Sequence, residues 1–429
     1  MYMKDLSFDA VVIGGGAAGM AAALELDSSG FSCAILERED HLGGILMQCI
    51  HNGFGLHEFK EELTGPEFAE RFIEKTIKTK IAVYLNTTVT SIKPDASYSE
   101  GKGAGVCKEL FCVSPDQGVL HIHARAVILA MGCRERNRGN VRIPGSRPAG
   151  VYTAGLAQRL VNIEGYIPGK EVVIIGSGDI GLIMARRMSW VGCKVKAVVE
   201  IMPYPAGLTR NIVQCLQDFN IPLYLSSQTT NIYGNDRVEG IEVTPMENGI
   251  TLPEKKFRID CDTVLLSVGL VPENELSKDA GVELNGTTNG PLVDSSLMTN
   301  VDGVFACGNV LHVHDLVDWV SEESRRAGAF AAEWLRGERP LSQIRLKAGS
   351  NVRYVNPGKF NPRRDNNIYM RSMIVKNDAV LELRLDNRVI KSVKKGHVQP
   401  SEMINITLGP KDLEGVNAGP DSVLEFSIN

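Results

Sequence analysis

Residues 10–19 read AVVIGGGAAG, and the rest of the 429-residue chain is organised around this stretch. Four apolar residues that favour a buried strand lead directly into Gly14, Gly16 and Gly19, and the helical pattern MAAALEL follows. Gly14 permits a sharp turn, Gly16 lets backbone N–H groups approach a pyrophosphate, and Gly19 lets the helix pack against the sheet. The N-terminus of that helix adds a positive dipole end. The stretch therefore predicts a dinucleotide site.

The same pattern occurs a second time, where EVVIIGSGDIG places Gly176, Gly178 and Gly181 between a strand and a helix. Each fingerprint is followed by a strand that ends in a carboxylate, Glu37 in the first case and Glu200 in the second, where it can accept hydrogen bonds from a ribose. Two complete fingerprints are far more specific than one. Because no arginine cluster follows Glu200, its carboxylate favours the free 2′-hydroxyl of NAD(H) over the 2′-phosphate of NADP(H).

Composition and charge narrow the class of protein. The net charge is −5 at pH 7 and no long basic run occurs, so nucleic acid is not an expected partner. No stretch of about 18 apolar residues is present, so no membrane span is expected. A core strand within about ten residues of Met1 leaves no room for a signal peptide. The nine cysteines form no C-x-x-C and lie largely in apolar segments, which is typical of reduced thiols in a cytoplasmic protein.

Two H-x-H pairs are the candidates for a metal site, and we predict none at either. His121 and His123 alternate with Ile122 on a predicted strand, where they need further ligands that the sequence does not indicate. His312 and His314 stand in a loop before a helix, a position in which a lone H-x-H is more often structural.

Two later strands have the ending that is typical of a strand that passes beneath a bound dinucleotide: AVILAMG ends at Gly132 and TVLLSVG ends at Gly269. A further short strand, in VFACGN, ends at Gly308 and Asn309, and a helix is expected from about Asp318 to Leu335. After about residue 341 the segments VRYV, NIYMRSMIV, AVLELRL, RVIKSV, MINITL and VLEFSI predict a β-rich domain without a catalytic constellation. We interpret it as a module for dimerisation or for docking of a partner.

From about residue 8 to 338 the chain resembles the pyridine nucleotide–disulfide oxidoreductase superfamily of flavoproteins. The resemblance implies an α/β fold with two Rossmann-like dinucleotide-binding domains and, here, the small C-terminal β-rich domain. The FAD-binding domain would comprise residues 1–149 and 271–340, interrupted by an NAD-binding domain at residues 150–270. Residues 341–429 would form the C-terminal domain.

The resemblance also assigns cofactor residues. FAD would be held by Gly14, Gly16, Ala18, Gly19, Glu37, Arg38, Gly43, Gly44, Val89, Ala130, Gly132, Gly308, Asn309 and Val317. NAD would be held by Gly176, Gly178, Asp179, Ile180, Gly181, Glu200 and Gly269. Asn309 replaces the aspartate that is usual in the superfamily, and its amide can still form hydrogen bonds there. The polar, glycine-containing loop QCIHNGFG makes Gln48, Cys49 and His51 our candidates for catalytic neighbours of the flavin ring.

The chain departs from the superfamily in lacking a redox-active disulfide. Only Cys49 occupies the usual place, and Cys107 and Cys112 lie five residues apart in a predicted hairpin, where they face opposite sides of the sheet. The segments GGILMQCIHNGFG, AMGCRER and GNVLHVHDLVDWVSEES are similar to the NAD-linked flavoprotein subunits of multi-component glycerol-3-phosphate, amino-acid and sarcosine-type dehydrogenases. Members of that subgroup often carry a cysteine-rich iron–sulfur segment, but this chain has no cysteine after Cys307.

These observations predict an oxidoreductase that transfers a hydride between NAD(H) and FAD and exchanges electrons with a partner. The partner would be a substrate-oxidising dehydrogenase subunit, with a small cysteine-rich iron–sulfur protein as a further member, and the chain would form a homo- or hetero-oligomer. Two alternatives stay open at this point. One is a stand-alone NADH oxidase that uses oxygen, and the other is a structural or regulatory subunit that binds dinucleotides.

Overall fold

A computed structural model describes residues 3–94, 107–339, 343–386, 388–415, 419 and 421–429 of the protein. It divides into two compact units, one of Met1–Cys133 with Pro272–Asn429 and the other of Arg134–Val271. The domain boundary expected between residues 340 and 341 lies outside the described residues.

The helices and strands are numbered along the chain. The first part contains β1 (Lys4–Ile13), α1 (Ala17–Ser28), β2 (Cys33–Leu36), β3 (Asn52–Phe54), β4 (Leu63–Thr64), α2 (Gly65–Thr76), β5 (Ala82–Tyr84), β6 (Thr88–Pro94), β7 (Lys108–Ser114) and β8 (Gly118–Leu129). The middle part contains β9 (Cys133–Glu135), α3 (Arg138–Val141), β10 (Val151–Thr153), α4 (Ala154–Asn162), β11 (Glu171–Ile175), α5 (Asp179–Trp190), β12 (Lys194–Val199), α6 (Thr209–Cys215), β13 (Leu223–Tyr224), β14 (Ser227–Gly234), β15 (Val238–Glu247), β16 (Ile250–Thr251), β17 (Phe257–Ile259), β18 (Thr263–Leu266) and β19 (Leu270–Pro272). The last part contains α7 (Glu275–Asp279), β20 (Val304–Ala306), α8 (Val317–Leu335), β21 (Ile344–Ala348), β22 (Val352–Asn356), β23 (Lys359–Phe360), β24 (Asn366–Ser372), β25 (Lys376–Leu385), β26 (Arg388–Val398), β27 (Met403–Leu408) and β28 (Val423–Ile428).

The first unit is built on a seven-stranded sheet of order β5-β2-β1-β8-β7-β6, with β20 paired to β8. The strands β5, β2, β1, β8 and β20 are parallel. Strand β7 pairs antiparallel with both β8 and β6, and its pairing with β8 is the hairpin that the sequence predicted. The apolar residues Ala10–Ile13 are almost fully buried at the centre of this sheet. Helix α1 packs closely on α8. A Cβ added at Gly328 of α8 would lie only 2.5 Å from the carbonyl oxygen of Ala22 of α1.

The second unit repeats the parallel arrangement on a smaller scale. Its five-stranded sheet has the order β10-β18-β11-β12-β13, and all four pairings are parallel. Parallel strands are buried on both faces, which explains the continuous apolar sequence VVII of β11. Strands β14–β17 add an antiparallel sheet.

The C-terminal segment of the first unit is β-rich, as the sequence predicted. Its sheets have the orders β23-β21-β28-β25-β26 and β22-β24-β27. All six segments singled out in the sequence form strands, β22 and β24–β28, whereas β21 and β23 were not expected. The described sheets and helices confirm the α/β class. No helix in the described part of the chain combines the length and apolar character needed to cross a membrane.

Candidate functional site

The first glycine turn is shaped by close backbone contacts. A Cβ at Gly14, whose φ is +107°, would lie 2.4 Å from the carbonyl oxygen of Ala130, and one at Gly19 would lie 1.8 Å from that of Gly14. A Cβ at Gly16 would meet nothing within 4 Å. No side chain caps α1, which begins immediately after Gly16. The turn therefore leaves open space before an uncapped helix N-terminus, an arrangement that suits a pyrophosphate.

The carboxylate of Glu37 closes this turn from the end of β2. Its Oε2 accepts a hydrogen bond of 2.6 Å from the backbone N–H of Gly15, and its Oε1 accepts one of 2.8 Å from that of Glu39. Glu37 is buried, whereas the neighbouring Arg38 is exposed. Glu37 thus fixes the loop, and its binding to a ribose stays a prediction.

The glycine pair Gly43 and Gly44 packs directly on the first glycine turn. The N–H of Gly43 donates to the carbonyl oxygen of Gly15 over 2.9 Å. Both glycines of the pair have positive φ, and a Cβ at Gly44 would lie 3.2 Å from the Cα of Gly16. Ala18, on the first turn of α1, lies beside Gly308, which follows β20. A Cβ added at Gly308 would lie 2.9 Å from the methyl group of Ala18.

Gln48 is the last residue of a short helical turn, Gly44–Gln48, and Cys49 and His51 lie in the loop that follows it. The thiol of Cys49 donates to the carbonyl oxygen of Ile45 over 3.3 Å, and burial raises its pKa to about 12. Gln48 is buried, and the ring of His51 is 5.0 Å from that of Phe54. The three candidates are neighbours in one segment, and their proximity to a flavin stays a prediction.

Helix α8 holds the next part of this loop, which sequence reasoning missed. Asp318 accepts hydrogen bonds from the backbone N–H groups of Gly55, His57 and Glu58, at 3.2, 2.9 and 2.8 Å. The guanidinium of Arg325 binds the Glu58 carboxylate in a bidentate pair of 2.7 and 2.8 Å. The acidic residue in the first turn of α8 is the only signal in the sequence for this contact.

The remaining first-unit candidates lie where β8 and β20 end. The N–H of Ala130 donates to the carbonyl oxygen of Ile13 over 2.9 Å, and Gly132 has a φ of +72°. The side-chain oxygen of Asn309 accepts a 3.0 Å bond from the backbone N–H of His314. Val89 is buried in the hydrophobic core, and Val317 is the first residue of α8.

Glu323 of α8 organises the loop between β20 and α8. Its Oε1 accepts from the N–H of Gly308 (2.8 Å) and from His314 Nε2 (3.1 Å), and its Oε2 accepts from His312 Nε2 (2.9 Å). Burial lowers the pKa of His312 to about 4, and His314 adds to that effect. Burial alone would raise the pKa of Glu323, but the charge and hydrogen bonds of the two imidazoles outweigh it and hold the pKa of that carboxyl below its usual range.

The C-terminal strands pack against this same loop. The ring of Tyr369 lies 5.2 Å from that of His312 and 5.3 Å from that of His314. Arg371 donates to the carbonyl oxygen of Val313 over 3.1 Å and pairs with Asp315. The domain that we interpreted as a separate module therefore forms one wall of the Gly308–Leu316 loop.

The second glycine turn reproduces the first. A Cβ at Gly176 would lie 2.1 Å from the carbonyl oxygen of Ser267, and the N–H of Gly181 donates to the Ser267 hydroxyl over 3.0 Å. Glu200 Oε2 accepts from the N–H of Ser177 (2.8 Å) and from its hydroxyl (2.6 Å), and Oε1 accepts from the N–H of Met202 (2.9 Å). Glu200 thus closes its turn as Glu37 closes the first.

The segment after Glu200 is tied to the same turn. The N–H of Leu208 and the side-chain amide of Asn211 both donate to Asp179 Oδ1, over 2.8 and 2.6 Å. Gly178 precedes α5 and no side chain caps that helix, and Ile180 in its first turn is half-buried. Gly269 has a φ of +100°.

All nine cysteines lie among the described residues, and none of them is in a disulfide. Cys107 donates to the carbonyl oxygen of Ala124 over 3.2 Å, and Cys112 is fully buried on β7. That this pair has no redox role stays a prediction.

Two sheets, in each of which a parallel strand leads into a glycine turn closed by a buried glutamate, define a protein with two Rossmann-like dinucleotide-binding domains. The chain belongs to the pyridine nucleotide–disulphide oxidoreductase family, whose family model matches residues 8–327. It is therefore an oxidoreductase of a family that binds FAD and NAD(P).

Individual relatives agree with this family. An opine oxidase component from Agrobacterium tumefaciens (strain Ach5) is 26% identical over 325 residues, which cover 71% of this chain and 62% of that protein. The glutamate synthase [NADPH] small chain of Mycobacterium tuberculosis (strain ATCC 25618 / H37Rv) is 28% identical over 362 residues, covering 77% and 67%. Thioredoxin reductase of T. acidophilum is similar in structure, with a TM-score of 0.61 and 26% identity over 76% of this chain and 98% of that one.

Proposed function

We propose that this chain transfers a hydride between NAD(H) and FAD and exchanges electrons with a partner subunit, without a redox-active disulfide. Within the family it would belong with the flavoprotein subunits of glycerol-3-phosphate, amino-acid or sarcosine-type dehydrogenases. The observation that carries the proposal is the pair of equivalent glycine turns, in which the Gly15 N–H bonds to Glu37 and the Ser177 N–H bonds to Glu200.

The first turn would hold FAD. The open space at Gly16 would accept the pyrophosphate, and Asn309 and the N-terminus of α8 at Val317 would bind further along the cofactor. Bound FAD supplies the two-electron chemistry, and the protein orients it and shields it from side reactions. Gln48, Cys49 and His51 are proposed as neighbours of its ring.

The second turn would hold NAD(H). The carboxylate of Glu200 is buried and accepts three hydrogen bonds from Ser177 and Met202, and no arginine stands between residues 201 and 209. A 2′-phosphate would therefore meet a negative charge without a cation to balance it. The M. tuberculosis relative is named for NADPH, so a preference for NADH would distinguish this chain from it.

A thiol relay is disfavoured by the chemistry of Cys49. Burial raises the pKa of its thiol to about 12, whereas nucleophilic and redox cysteines have lowered pKa values. Its hydrogen bond to the Ile45 carbonyl is that of a protonated thiol. Electrons would therefore pass between the flavin and its partner without a disulfide.

The names of the relatives support a partner subunit. The opine oxidase component, hydrogen cyanide synthase subunit HcnB of Pseudomonas protegens and the glutamate synthase small chain are all named as parts of larger enzymes. The partner here would be a substrate-oxidising dehydrogenase subunit, and an iron–sulfur centre would come from a separate cysteine-rich protein. We place the assembly in the cytoplasm.

A thiol count combined with an acceptor assay tests the proposal. We expect nine titratable thiols in the denatured protein both before and after anaerobic treatment with NADH. We also expect NADH to drive rapid reduction of an artificial electron acceptor and slow consumption of oxygen. A count that rises by two on treatment with NADH, from seven to nine thiols, would show a redox disulfide and contradict the proposal.

The second candidate is a stand-alone NADH oxidase. It is favoured by the NADH dehydrogenase of Ferdinandcohnia aciditolerans, which is 27% identical over 329 residues, covering 75% of this chain and 57% of that protein. Oxygen consumption as fast as acceptor reduction would support it. Binding of NADH without any change in the flavin spectrum would instead support the regulatory alternative.

A further inference from the structure

Strands β1, β7 and β8 bring four side chains that can bind a metal to one face of the large sheet. Parallel pairing puts Asp5 opposite His121, and antiparallel pairing puts Glu109 opposite His123. Side chains two residues apart on a strand share a face, so His121 and His123 point the same way while Ile122 is fully buried on the other side. The ligands that the H-x-H pair needed are therefore supplied by neighbouring strands.

The ring of His121 is held in a defined orientation. It stacks on the ring of Phe111 at 4.7 Å, and its Nδ1 lies 2.9 Å from Asp5 Oδ1. Its Nε2 is buried, has no hydrogen-bond partner among the described residues, and lies 3.9 Å from Glu109 Oε1. One donor atom from each of Asp5, His121 and His123 lies within 4.8 Å of the others.

We propose that this cluster binds a divalent transition-metal ion of the zinc class. The imidazoles of His121 and His123 and the carboxylate of Asp5 are the ligands, and the carboxylate of Glu109 lies close enough to His121 to complete the set. Two imidazoles with carboxylate oxygens suit Zn²⁺, which takes four such donors at about 2.0–2.2 Å. Asp5 is exposed and both histidines are half-buried, so an ion can reach the site.

The buried group of His312, His314 and Glu323 also brings three donor atoms within 4.8 Å, but its geometry favours hydrogen bonding. Glu323 already accepts from both Nε2 atoms and from the N–H of Gly308. All three side chains of this group are also buried, whereas Asp5 of the proposed cluster is exposed and both of its histidines are half-buried.

The proposed site is independent of the dinucleotide turns. Asp5 lies at the start of β1 and Gly14 follows its end, so about eight residues of strand, roughly 26 Å, separate them. Bound metal would join β1, β7 and β8 at the end of the sheet opposite the first glycine turn, and it would stabilise the folded chain.

Calorimetric titration of the untagged, full-length protein with ZnCl₂ tests the proposal. We expect one ion per chain, and an increase of at least about tenfold in the dissociation constant for His123→Gln and for Asp5→Asn. Zn²⁺ should raise the melting temperature of the wild type and of neither variant. His397→Gln, which changes an exposed histidine on β26, is the matched control and should bind like the wild type.

Three outcomes would overturn the proposal. One is the absence of stoichiometric binding at micromolar Zn²⁺. Another is binding that both His121→Gln and His123→Gln retain, because the ion would then occupy another site, such as the buried histidines or a cysteine. The last is an equal loss of binding in the His397→Gln control.

Discussion

Gly16 and Gly19 belong to one turn, yet an added methyl group meets different surroundings at each. At Gly19 it would lie 1.8 Å from the carbonyl oxygen of Gly14, so the fold itself requires glycine there. At Gly16 it would meet nothing within 4 Å. The fold therefore leaves room for a side chain at Gly16, where we propose that the pyrophosphate binds.

We predict that Gly16→Ala leaves the free energy of unfolding of the apoprotein nearly unchanged and weakens FAD binding about tenfold or more, close to 1.4 kcal/mol. Denaturant unfolding of the apoprotein and a fluorescence titration with FAD measure the two effects. Gly286→Ala, which also adds a methyl group in open space, is the control and should change neither quantity. Unchanged FAD affinity in Gly16→Ala would place the pyrophosphate elsewhere.

Substitution of Cys49 tests whether its thiol takes part in the reaction. We predict that Cys49→Ser keeps most of the rate at which NADH bleaches the flavin, because the thiol is protonated and hydrogen-bonded to Ile45. Stopped-flow absorbance under anaerobic conditions gives this rate. Complete loss of reduction in a variant that still binds FAD would show that the thiol takes part in the reaction.

At the scale of elements, α8 connects segments that are distant in the sequence. Asp318 holds Gly55, 263 residues away, and Glu323 holds the loop after β20. Glu322 accepts hydrogen bonds from Tyr369 and Asn367 of the C-terminal strands. The charged residues of this one helix thus hold three segments that are far apart in the sequence.

The buried histidine beside α8 should make stability depend on pH. The folded chain holds the pKa of His312 at about 4, below its ordinary value of 6.5, so the unfolded chain binds one more proton between these values. Stability therefore falls as pH drops through this window, by up to about 1.4 kcal/mol per pH unit for one proton. We predict a shallower fall in His312→Gln.

Urea unfolding of both proteins at pH 7, 6 and 5 checks this prediction. The comparison uses the slope of the free energy of unfolding against pH, so a constant loss of stability in the variant does not affect it. Equal slopes in the two proteins would mean that His312 titrates normally in the fold.

Arg371 should link the C-terminal strands to FAD binding. Its guanidinium donates to the carbonyl oxygens of Val313 and Ser401, over 3.1 and 2.6 Å, and pairs with Asp315. Lysine lacks the planar fork that makes these bonds together. We predict that Arg371→Lys raises the dissociation constant for FAD by roughly three- to tenfold, or about 1 kcal/mol.

Arg384→Lys is the matched control, because Arg384 lies on β25 and pairs with the nearby Glu382. FAD titrations and circular dichroism of both variants separate a local effect from unfolding. If the two variants bind FAD equally well, the contact of Arg371 with the Gly308–Leu316 loop does not contribute to FAD binding.

For the whole molecule, the sequence predicted the features that are determined by residues close together in the chain. The strand–glycine–helix order around Gly14 and Gly176 is local, since glycine and apolar residues determine it within about 20 positions. The pattern carries no information on which strands become neighbours. The pairing of β1 with β8, which brings Asp5 to His121, and the contact of Glu323 with His312 and His314 depend on sheet order and tertiary packing.

We propose that the two turns form a working pair of sites and that Glu200 selects NADH. The most direct measurement is an anaerobic titration of the purified protein, in which the flavin absorbance is followed as NADH, and separately NADPH, is added. We predict bleaching by NADH at a concentration at least about tenfold below that needed for NADPH. A protein without flavin, or a flavin that neither nucleotide bleaches, would rule out this pair of sites.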